Sequence, residues 1–474
     1  MRKKIFAVLV VIISVLAAAS VASGKGESNS FTDESGSRIT VKEPFMRIIS
    51  LYGAHTENLF SLGLDREITG VSENEAYPPQ AMTKPIFSYH DDAEKFIAAR
   101  PDLVLIRPMI AQGYKNLTAK LQKAGITVVS LQPNTMEEVY SYWKNLGRLT
   151  GREIQAQKMI GQFQAGIREI NSLVKAIPLS ERKKVYFEAI HSKMKTFSPS
   201  SIAIFALKSA GGINVAADAK AVRGTNIAAY GKERILSHAK EIDVYLAQRG
   251  VMNRAKVRRI MEEGGFRAIK AVREGKIYII DEKIVSRPTL RLLDGIYETG
   301  RILYPERFND VTPLKEKSII TRAEFAEMFI KIMNIPLKTP DYRHDILKKP
   351  DIKHKYGDFK DVDYAGNEYK FIETAVSRGL FDDIGKYEFH PDMPAKRGDM
   401  AYSLFVYFDF PDAKSVAIKD VHESHPLFNQ IQTVAGLNIV KLNKDGEFLP
   451  DNPVSGKELF QIISKAKELS YKEE

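Results

Sequence analysis

The strongest constraint on the fold is a regular alternation of short β-branched segments with amphipathic helical segments, beginning at residue 39. Because β-branched runs favour strands and a helical apolar period favours helices, this order predicts a parallel sheet covered by helices. The predicted strands are Arg47–Leu51, Ile68–Val71, Leu103–Ile106 and Ile126–Leu131. The predicted helices are Thr56–Leu64, Ala93–Ala99, Asn116–Ala124 and Met136–Leu149. Residues 38–150 are therefore expected to form a lobe of the α/β class.

A second alternation of the same kind follows, so the chain is expected to hold two such lobes. Its predicted strands are Lys184–Ala189, Val244–Ala247 and Ile277–Ile280, and its predicted helices are Ser200–Ala210, Lys232–Ala239, Val257–Ile269 and Leu290–Leu303. Between the two alternations, Gly151–Ile177 has no proline and is rich in strong helix formers. As a helix it would run roughly 40 Å. We predict an interlobe helix at 151–178 and a second lobe at 179–308.

The N-terminus indicates export. Residues 1–22 begin with three basic residues, continue through an apolar stretch from Ile5 to Ala19, and end in small residues. This order is typical of a cleaved secretory signal peptide. An uncleaved membrane anchor is the alternative, because the apolar stretch barely reaches spanning length. Residues 23–37 are predicted to be a flexible spacer, and the mature chain is expected to work beyond the cytoplasmic membrane.

Composition narrows the choice of partners. The chain has no cysteine, which excludes disulfides, thiolate metal sites, cysteine catalysis and a lipid anchor on cysteine. Residues 311–474 hold 24 basic and 27 acidic residues, whereas residues 1–310 hold 46 basic and 32 acidic ones. Since nucleic acid is an improbable partner outside the cytoplasm, the basic part is expected to face anionic small ligands or anionic envelope polymers.

The last 160 residues contain an internal repeat. The segments "YEFHPDMPAKRGDMA" at 387–401 and "GEFLPDNPVSGKELF" at 446–460 align with a spacing of 59 residues, as do "FKDV" at 359–362 and "IKDV" at 418–421. An earlier partial copy is "ITRAEFAEMFIKIMNI" at 320–335. A fixed period indicates one helical unit used repeatedly.

Several segments of residues 36–306 carry a resemblance to a known family. They are "RIISLYGAHTENLFSLGL" at 47–64, "YPPQA" at 77–81, "EKFIAARPDLVLI" at 94–106, "LQKAGITVVSLQP" at 121–133 and "REGKIYIIDEKIVSRPTLRLLDGI" at 273–296. In this order they resemble the helical-backbone substrate-binding proteins that serve ABC importers of cobalamin, haem and iron–siderophore complexes. The resemblance implies two Rossmann-like lobes joined by a long interlobe helix.

The resemblance places the ligand in the cleft between the lobes. Aromatic faces suit a flat macrocycle, and arginines suit the carboxylates of haem or of a siderophore. The candidates are Tyr52, Tyr77, Tyr89, His90, Arg107, Met109 and Gln112 in the first lobe, and His191, Met194, Phe197, Arg223, Ser286 and Arg287 in the second. Tyr89, His90 and His191 are also candidates for binding haem iron, although each of these residues is equally an ordinary loop residue. The ligand stays open among ferric siderophore, haem and cobalamin, and no resident cofactor or metal is expected.

The resemblance also implies docking on a permease through one acidic residue at a helix start in each lobe. Those positions map to Glu94 in "EKFI" and Glu233 in "ERIL". A carboxylate at a helix start is favoured by the helix dipole and accessible to an arginine of the partner. An ordinary helix-start role is the alternative, because glutamate is common there.

The repeats at 311–474 resemble S-layer homology repeats, which attach secreted proteins to envelope polysaccharide. The resemblance implies an all-α-dominated domain that binds polymer through Arg322, with Arg397 and Lys457 in the matching places of the other copies. The tryptophan usual in such repeats is absent here, since the single tryptophan of the chain is Trp143. Purely structural packing is the alternative for these cations.

We find no nucleophile elbow, phosphate loop or HExxH motif, so an enzyme is not expected. The main interpretation is a secreted binding protein, tethered to the cell wall by its repeats, that delivers a metal chelate to an ABC importer. Its expected partners are a permease, a small metal chelate and wall polysaccharide. A structural or adhesive envelope protein with a non-transporting binding domain is the alternative.

Overall fold

The computed structural model of the chain describes residues 29–73, 75, 77–222, 225–338, 359–362, 366–382 and 388–470. The predicted signal peptide and the candidate ligand residue Arg223 lie outside these residues. No helix among the described residues has the length and apolar character that crossing a bilayer requires.

The first lobe is built on a parallel sheet. The strands up to residue 130 are β1 (Ser30–Thr32), β2 (Arg38–Thr40), β3 (Ile48–Ser50), β4 (Ile68–Val71), β5 (Leu103–Ile106) and β6 (Thr127–Ser130). The sheet has the order β4–β3–β5–β6 with every pair parallel. All residues of β3 and β5 are buried, as expected for central strands that are covered on both faces. The predicted strands of this lobe are confirmed.

Five α-helices accompany this sheet in the described residues: α1 (Gly53–Ser61), α2 (Ala93–Ala98), α3 (Pro108–Gly113), α4 (Lys115–Lys123) and α5 (Met136–Thr150). Helix α5 begins at a capping box. The Thr135 side chain accepts a hydrogen bond from the Glu138 amide, and the Glu138 carboxylate accepts one from the Thr135 amide. It ends at Gly151, whose φ of 65° lies in the left-handed region.

Part of the predicted flexible spacer is ordered, which corrects that prediction. Strands β1 and β2 form an antiparallel hairpin, and the Asp33 carboxylate accepts hydrogen bonds from the amides of Ser35, Ser37 and Ser130 at 2.9 Å each. The bond to Ser130 fastens the hairpin to the end of β6. Asp33 is separated from Ser130 by almost a hundred residues, so local composition carried no signal for this contact.

The predicted interlobe helix is confirmed as α6 (Glu153–Lys175), followed by the second lobe. The strands of that lobe are β7 (Lys184–Ile190), β8 (Lys195–Phe197), β9 (Ile213–Asn214), β10 (Lys220–Ala221), β11 (Ile227–Ala229), β12 (Val244–Arg249) and β13 (Ile277–Asp281). They form a sheet of order β10–β11–β8–β7–β12–β13, with β9 pairing β7. Strands β7, β12 and β13 are parallel, while β8, β10 and β11 extend the sheet by antiparallel pairs.

The helices from this lobe onward continue the numbering: α7 (Ile202–Ser209), α8 (Lys232–Ser237), α9 (Val257–Met261), α10 (Lys270–Arg273), α11 (Glu282–Val285), α12 (Leu292–Leu303), α13 (Pro305–Phe308) and α14 (Thr312–Lys315). Helix α12 packs on α6 and α7. At one crossing Gly166 of α6 leaves room for Leu293, since a Cβ on Gly166 would lie 2.6 Å from a Leu293 methyl carbon.

The C-terminal repeats are helical and form a closed arrangement. Their helices are α15 (Arg322–Ile332), α16 (Tyr369–Ser377), α17 (Arg397–Tyr407), α18 (Phe428–Gly436) and α19 (Gly456–Leu469). The three segments that precede α15, α17 and α19 are joined in a cycle by backbone hydrogen bonds. The amide of Ile320 donates to the Val454 carbonyl at 3.1 Å, the amide of Ala395 to the Ile320 carbonyl at 3.0 Å, and the amide of Val454 to the Ala395 carbonyl at 2.9 Å. Three copies of one unit therefore meet around an approximate threefold axis. The buried apolar core is continuous from the lobes into these repeats.

Candidate ligand-binding cleft and repeat junctions

A buried ion pair joins the two lobes. Arg291 precedes α12 and reaches Glu57 of α1 with two hydrogen bonds, from Nε to Oε1 at 2.8 Å and from Nη2 to Oε2 at 2.7 Å. The two residues are 3% and 2% exposed. Burial alone would lower the pKa of Arg291, but attraction to the Glu57 carboxylate outweighs it and raises that pKa. The two parallel hydrogen bonds between the guanidinium and the carboxylate hold the lobes together at this point.

A second arginine meets the first lobe close by. A Cβ on Gly53, at the start of α1, would lie 2.4 Å from Arg287 Nη1 and 3.4 Å from Glu75 Oε2. A larger residue at position 53 would displace the Arg287 guanidinium from its present place. Burial raises the pKa of Glu75 to about 7, although a hydrogen bond from the Ser72 hydroxyl at 2.6 Å and the charge of Arg287 oppose the rise. Among the described residues, Glu75 Oε2 finds no hydrogen-bond partner.

Arg107 lies at the carboxyl ends of the first-lobe strands, where ligands of open α/β sheets usually bind. Its guanidinium carbon is 4.6 Å from the centre of the Tyr52 ring, and its Nε donates to Gln132 Oε1 at 2.9 Å. Met109 follows two residues later and is exposed. The structure thus brings Tyr52 and Arg107 together, as the sequence predicts for a shared site.

Tyr89 and His90 form an aromatic group with a residue that the sequence reasoning missed. Tyr114 lies between α3 and α4, with its ring centre 4.8 Å from that of Tyr89 and 5.3 Å from that of His90. The Tyr114 hydroxyl is 3.2 Å from His90 Nδ1. His90 is exposed, and its Nδ1 contact fixes the ring orientation. The available signal for Tyr114 was an aromatic residue directly after Gly113, where the short helix α3 ends.

In the second lobe, the structure corrects two ligand candidates. Phe197 is 1% exposed and packs on Phe187, with ring centres 4.8 Å apart, so it belongs to the core. His191 is buried, and its Nδ1 is 2.7 Å from Glu188 Oε2, a carboxylate that also accepts from Tyr245 and Asn253. Neither side chain presents a surface to a ligand in this arrangement, because the sheet and its polar network cover both.

Tyr77 is also placed differently from the prediction. Its ring lies between the guanidinium of Arg291, 4.1 Å from the ring centre, and the ring of Tyr369 in α16, 6.3 Å away. Tyr77 is 3% exposed. This candidate is therefore covered by the repeat region, and only the tertiary packing of α16 on the lobes decides that.

The two docking candidates are exposed at helix starts. The side chain of Glu94, in the first turn of α2, is 72% exposed. Its Oε1 lies 3.6 Å from Nζ of Lys120. A backbone hydrogen bond at the helix start, followed by attraction to Lys120, lowers the pKa of Glu94. Glu233 is in the first turn of α8 and is exposed as well.

At two junctions between repeats, an arginine at the first helical position clamps the next copy. Arg322 donates from Nε to the Phe389 carbonyl at 3.0 Å, lies 5.1 Å from that ring and reaches Asp399 at 3.5 Å. Arg397 donates to the Phe448 carbonyl at 2.8 Å, lies 5.0 Å from that ring and forms an ion pair with Glu458.

This geometry corrects the predicted polymer-binding set. Arg322 is buried and Arg397 is largely buried, so both serve the junctions between copies. The third member is also out of register: the helices begin after Thr321, Lys396 and Ser455, which makes Gly456 the counterpart of the two arginines. Lys457 lies one position later and is exposed. An arginine cannot occupy position 456, because a Cβ there would lie 1.9 Å from the Leu314 carbonyl oxygen.

Comparison with known proteins identifies the two parts. Residues 48–284 match the model of the periplasmic binding protein family, which amounts to half of the chain. The chain belongs to the periplasmic binding protein family. Residues 358–401 and 417–460 of this binding protein each match the S-layer homology domain.

The binding protein is similar to several described proteins. It is 27% identical over 286 residues to an uncharacterized ABC transporter substrate-binding lipoprotein of Bacillus subtilis (strain 168), covering 59% of this chain and 86% of the relative. It is 24% identical over 262 residues to the vitamin B12-binding protein of Vibrio cholerae, covering 53% and 87%. A solved structure of a possible iron-binding periplasmic solute-binding protein from Staphylococcus epidermidis ATCC 12228 is 26% identical, covers 55% of this chain and 100% of that one, and has a TM-score of 0.49.

Proposed function

We propose that this chain is an extracytoplasmic substrate-binding protein that captures a metal chelate (a ferric siderophore, haem or a corrinoid) and delivers it to an ABC importer. Two observations carry the proposal: Arg107 lies over the Tyr52 ring at the carboxyl ends of the first-lobe strands, and Tyr89, His90 and Tyr114 form an aromatic group in the same lobe. The relatives described as binding vitamin B12 support the same class of ligand.

The chemistry of Arg107 favours an anionic chelate. Arg107 contacts an amide oxygen and an aromatic ring, and no carboxylate of the described residues forms an ion pair with it. A ligand carboxylate would accept two parallel hydrogen bonds from the guanidinium, and the neighbouring rings would stack on a flat chelate. His90, exposed and oriented through Nδ1 by Tyr114, would then have Nε2 available to iron.

Ligand binding is tested with haemin, cyanocobalamin and ferric citrate as separate probes, using absorbance spectra and native mass spectrometry. Arg107→Gln is expected to weaken binding of the anionic probes by roughly tenfold, because a charged hydrogen-bond pair is lost. Arg258→Gln is the matched control, since the Arg258 side chain is 87% exposed on α9 and forms an ion pair with Glu262 of the same helix region. Equal affinities for the two variants would remove Arg107 from the site.

Delivery to the importer is proposed to use Glu94 and Glu233. The double variant Glu94→Lys/Glu233→Lys is expected to keep its affinity for the probe and to lose uptake in cells, because arginines of a permease would meet like charge. The control is Glu137→Lys/Glu306→Lys, which makes the same charge change at two other exposed helix starts. Normal uptake in the first variant would contradict the docking role.

The repeats are proposed to tether the protein to anionic wall polymer, with exposed Lys457 in contact with the polymer. Since residues 311–474 hold more acidic than basic residues, general attraction does not account for such binding. The full chain is expected to sediment with purified sacculi, and Lys457→Ala to sediment less than Lys444→Ala, an exposed control in the same copy. Absence of sedimentation by the full chain would remove the tether.

A structural envelope protein that no longer transports a ligand is the second candidate. The observation in its favour is the burial of Tyr77, His191 and Phe197, three residues expected in the cleft. Wall binding without binding of any of the three probes would support it.

A further inference from the structure

The repeat region packs on one continuous face of the binding domain, which we call the hinge face. It consists of Tyr77 in the first lobe, Glu169 in the interlobe helix α6, and Tyr297 and Arg301 in helix α12 of the second lobe. Each of these residues contacts the repeat region, so the repeats meet both lobes and the helix that joins them.

The contacts on α12 are close and buried. Arg301 donates from Nη1 to the Ile335 carbonyl at 2.8 Å, after the end of α15. The Tyr297 ring meets the Phe371 ring edge-on at 5.8 Å, and Lys370 Nζ lies 5.1 Å from the Tyr297 ring centre. Lys370 is buried, and the carboxyl group of Asp294 in α12 attracts its ammonium group electrostatically.

The contacts on the first lobe and on α6 come from the same short stretch of the repeats. Tyr369 packs edge-on against Tyr77 at 6.3 Å, and the two residues are 6% and 3% exposed. Asn367, two residues before α16, forms a hydrogen bond with Glu169. Residues 367–371 therefore touch the first lobe, the interlobe helix and α12.

This placement has a mechanical consequence. Tyr369, Lys370 and Phe371 share the first turn of α16, which moves as one rigid unit. Rotation of one lobe against the other would separate Tyr77 from α12, and α16 cannot follow both. If α16 stays with α12, the rotation exposes the contact between Tyr369 and Tyr77 to water. If α16 stays with the first lobe, the rotation removes the Lys370 ammonium from its buried surroundings on α12.

We propose that the repeat region is a brace that bridges the two lobes across the hinge face and restricts their relative movement. The proposal goes beyond ligand capture and wall attachment, and it holds whichever chelate or polymer is bound. By thermodynamic reciprocity, any interaction that draws α16 away from the hinge face loosens the lobes, and lobe movement weakens the docking of α16.

The test uses the full chain and exploits its lack of cysteine. Lys123→Cys in the first lobe and Lys240→Cys in the second provide two exposed labelling sites. Pulsed electron paramagnetic resonance then gives the distance distribution between spin labels. Tyr369→Ala is expected to broaden the distribution and shift it to longer distances, whereas Tyr369→Phe, which keeps the ring, is expected to retain it.

Phe405→Ala is the matched control, because Phe405 is an exposed aromatic residue of α17 in the same repeat region. If Tyr369→Ala does not fold, Phe371→Leu replaces it, since a smaller change of volume removes the ring contact with Tyr297. An unchanged distribution in a folded variant of either kind would overturn the brace, as would equal broadening by Phe405→Ala.

Discussion

The contact between the lobes and the junctions between the repeats both depend on buried arginines, but they differ in how completely the polar groups are satisfied. At each clamped junction the arginine donates to a backbone carbonyl of the next copy, lies near an aromatic ring of that copy and forms an ion pair with one of its carboxylates. Between the lobes, Arg291 is paired with Glu57, yet in the described part of the chain its Nη1 and Glu75 Oε2 meet no hydrogen-bond partner. Arg287 approaches Glu282 only to 3.9 Å.

This difference indicates different tasks. A junction that never opens gains by satisfying every group, because each unpaired buried polar atom costs about 1–3 kcal/mol. Polar groups without a hydrogen-bond partner between the lobes are, in contrast, expected where a bound ligand or a movement of the lobes supplies new hydrogen-bond partners.

The largest effect is expected from Arg291→Met. The substitution leaves the Glu57 carboxylate buried without its cation, and breaking a buried pair from one side costs about 3–5 kcal/mol. Urea unfolding at pH 7 measures the loss. Adding Glu57→Gln is expected to recover part of it, because the stranded charge is then removed. If the free energy of unfolding of Arg291→Met alone lay within about 1 kcal/mol of the parent value, the pair would not hold the lobes together.

Glu75 is expected to make stability depend on pH. Its pKa is about 7 in the folded protein and 4.5 in the reference state, so between these values the folded chain binds a proton that the unfolded chain releases. Stability contributed by the protonated form is therefore lost as pH rises from 4.5 to 7. Unfolding of Glu75→Gln, compared with the parent across this range, is expected to show a difference that grows by at most about 3 kcal/mol. A constant difference would contradict the raised pKa.

The smallest effect is expected at the repeat junctions. Arg322→Gln and Arg397→Gln each remove a hydrogen bond from a charged group to a carbonyl, worth about 1.5–3 kcal/mol. Arg322 is the more buried of the two, so its loss is expected to cost more. Thermal unfolding of the full chain checks the order. A reversed order would indicate that the ion pair of Arg397 with Glu458, rather than burial, dominates.

Local pattern by itself determined the class of the fold, the two α/β lobes, the long helix between them and the repeated C-terminal unit. The predicted strands Ile68–Val71 and Leu103–Ile106 coincide with β4 and β5, because β4 is rich in β-branched residues and β5 is an unbroken apolar run. Helix α5 begins at Met136, where the capping box indicates a helix start. Tyr52 and Arg107 were also predictable as neighbours, since both follow adjacent parallel strands.

Only the tertiary structure decided which candidates face a cleft and which are covered. Tyr77 and His191 have the composition of ligand residues, but α16 covers the first and a buried carboxylate network encloses the second. The register of Lys457 depended on where α19 begins, and the role of Gly456 depended on a carbonyl more than a hundred residues away. Burial and partners arise from contacts between segments that are distant in the chain, and the periodicity of a single segment contains no record of them.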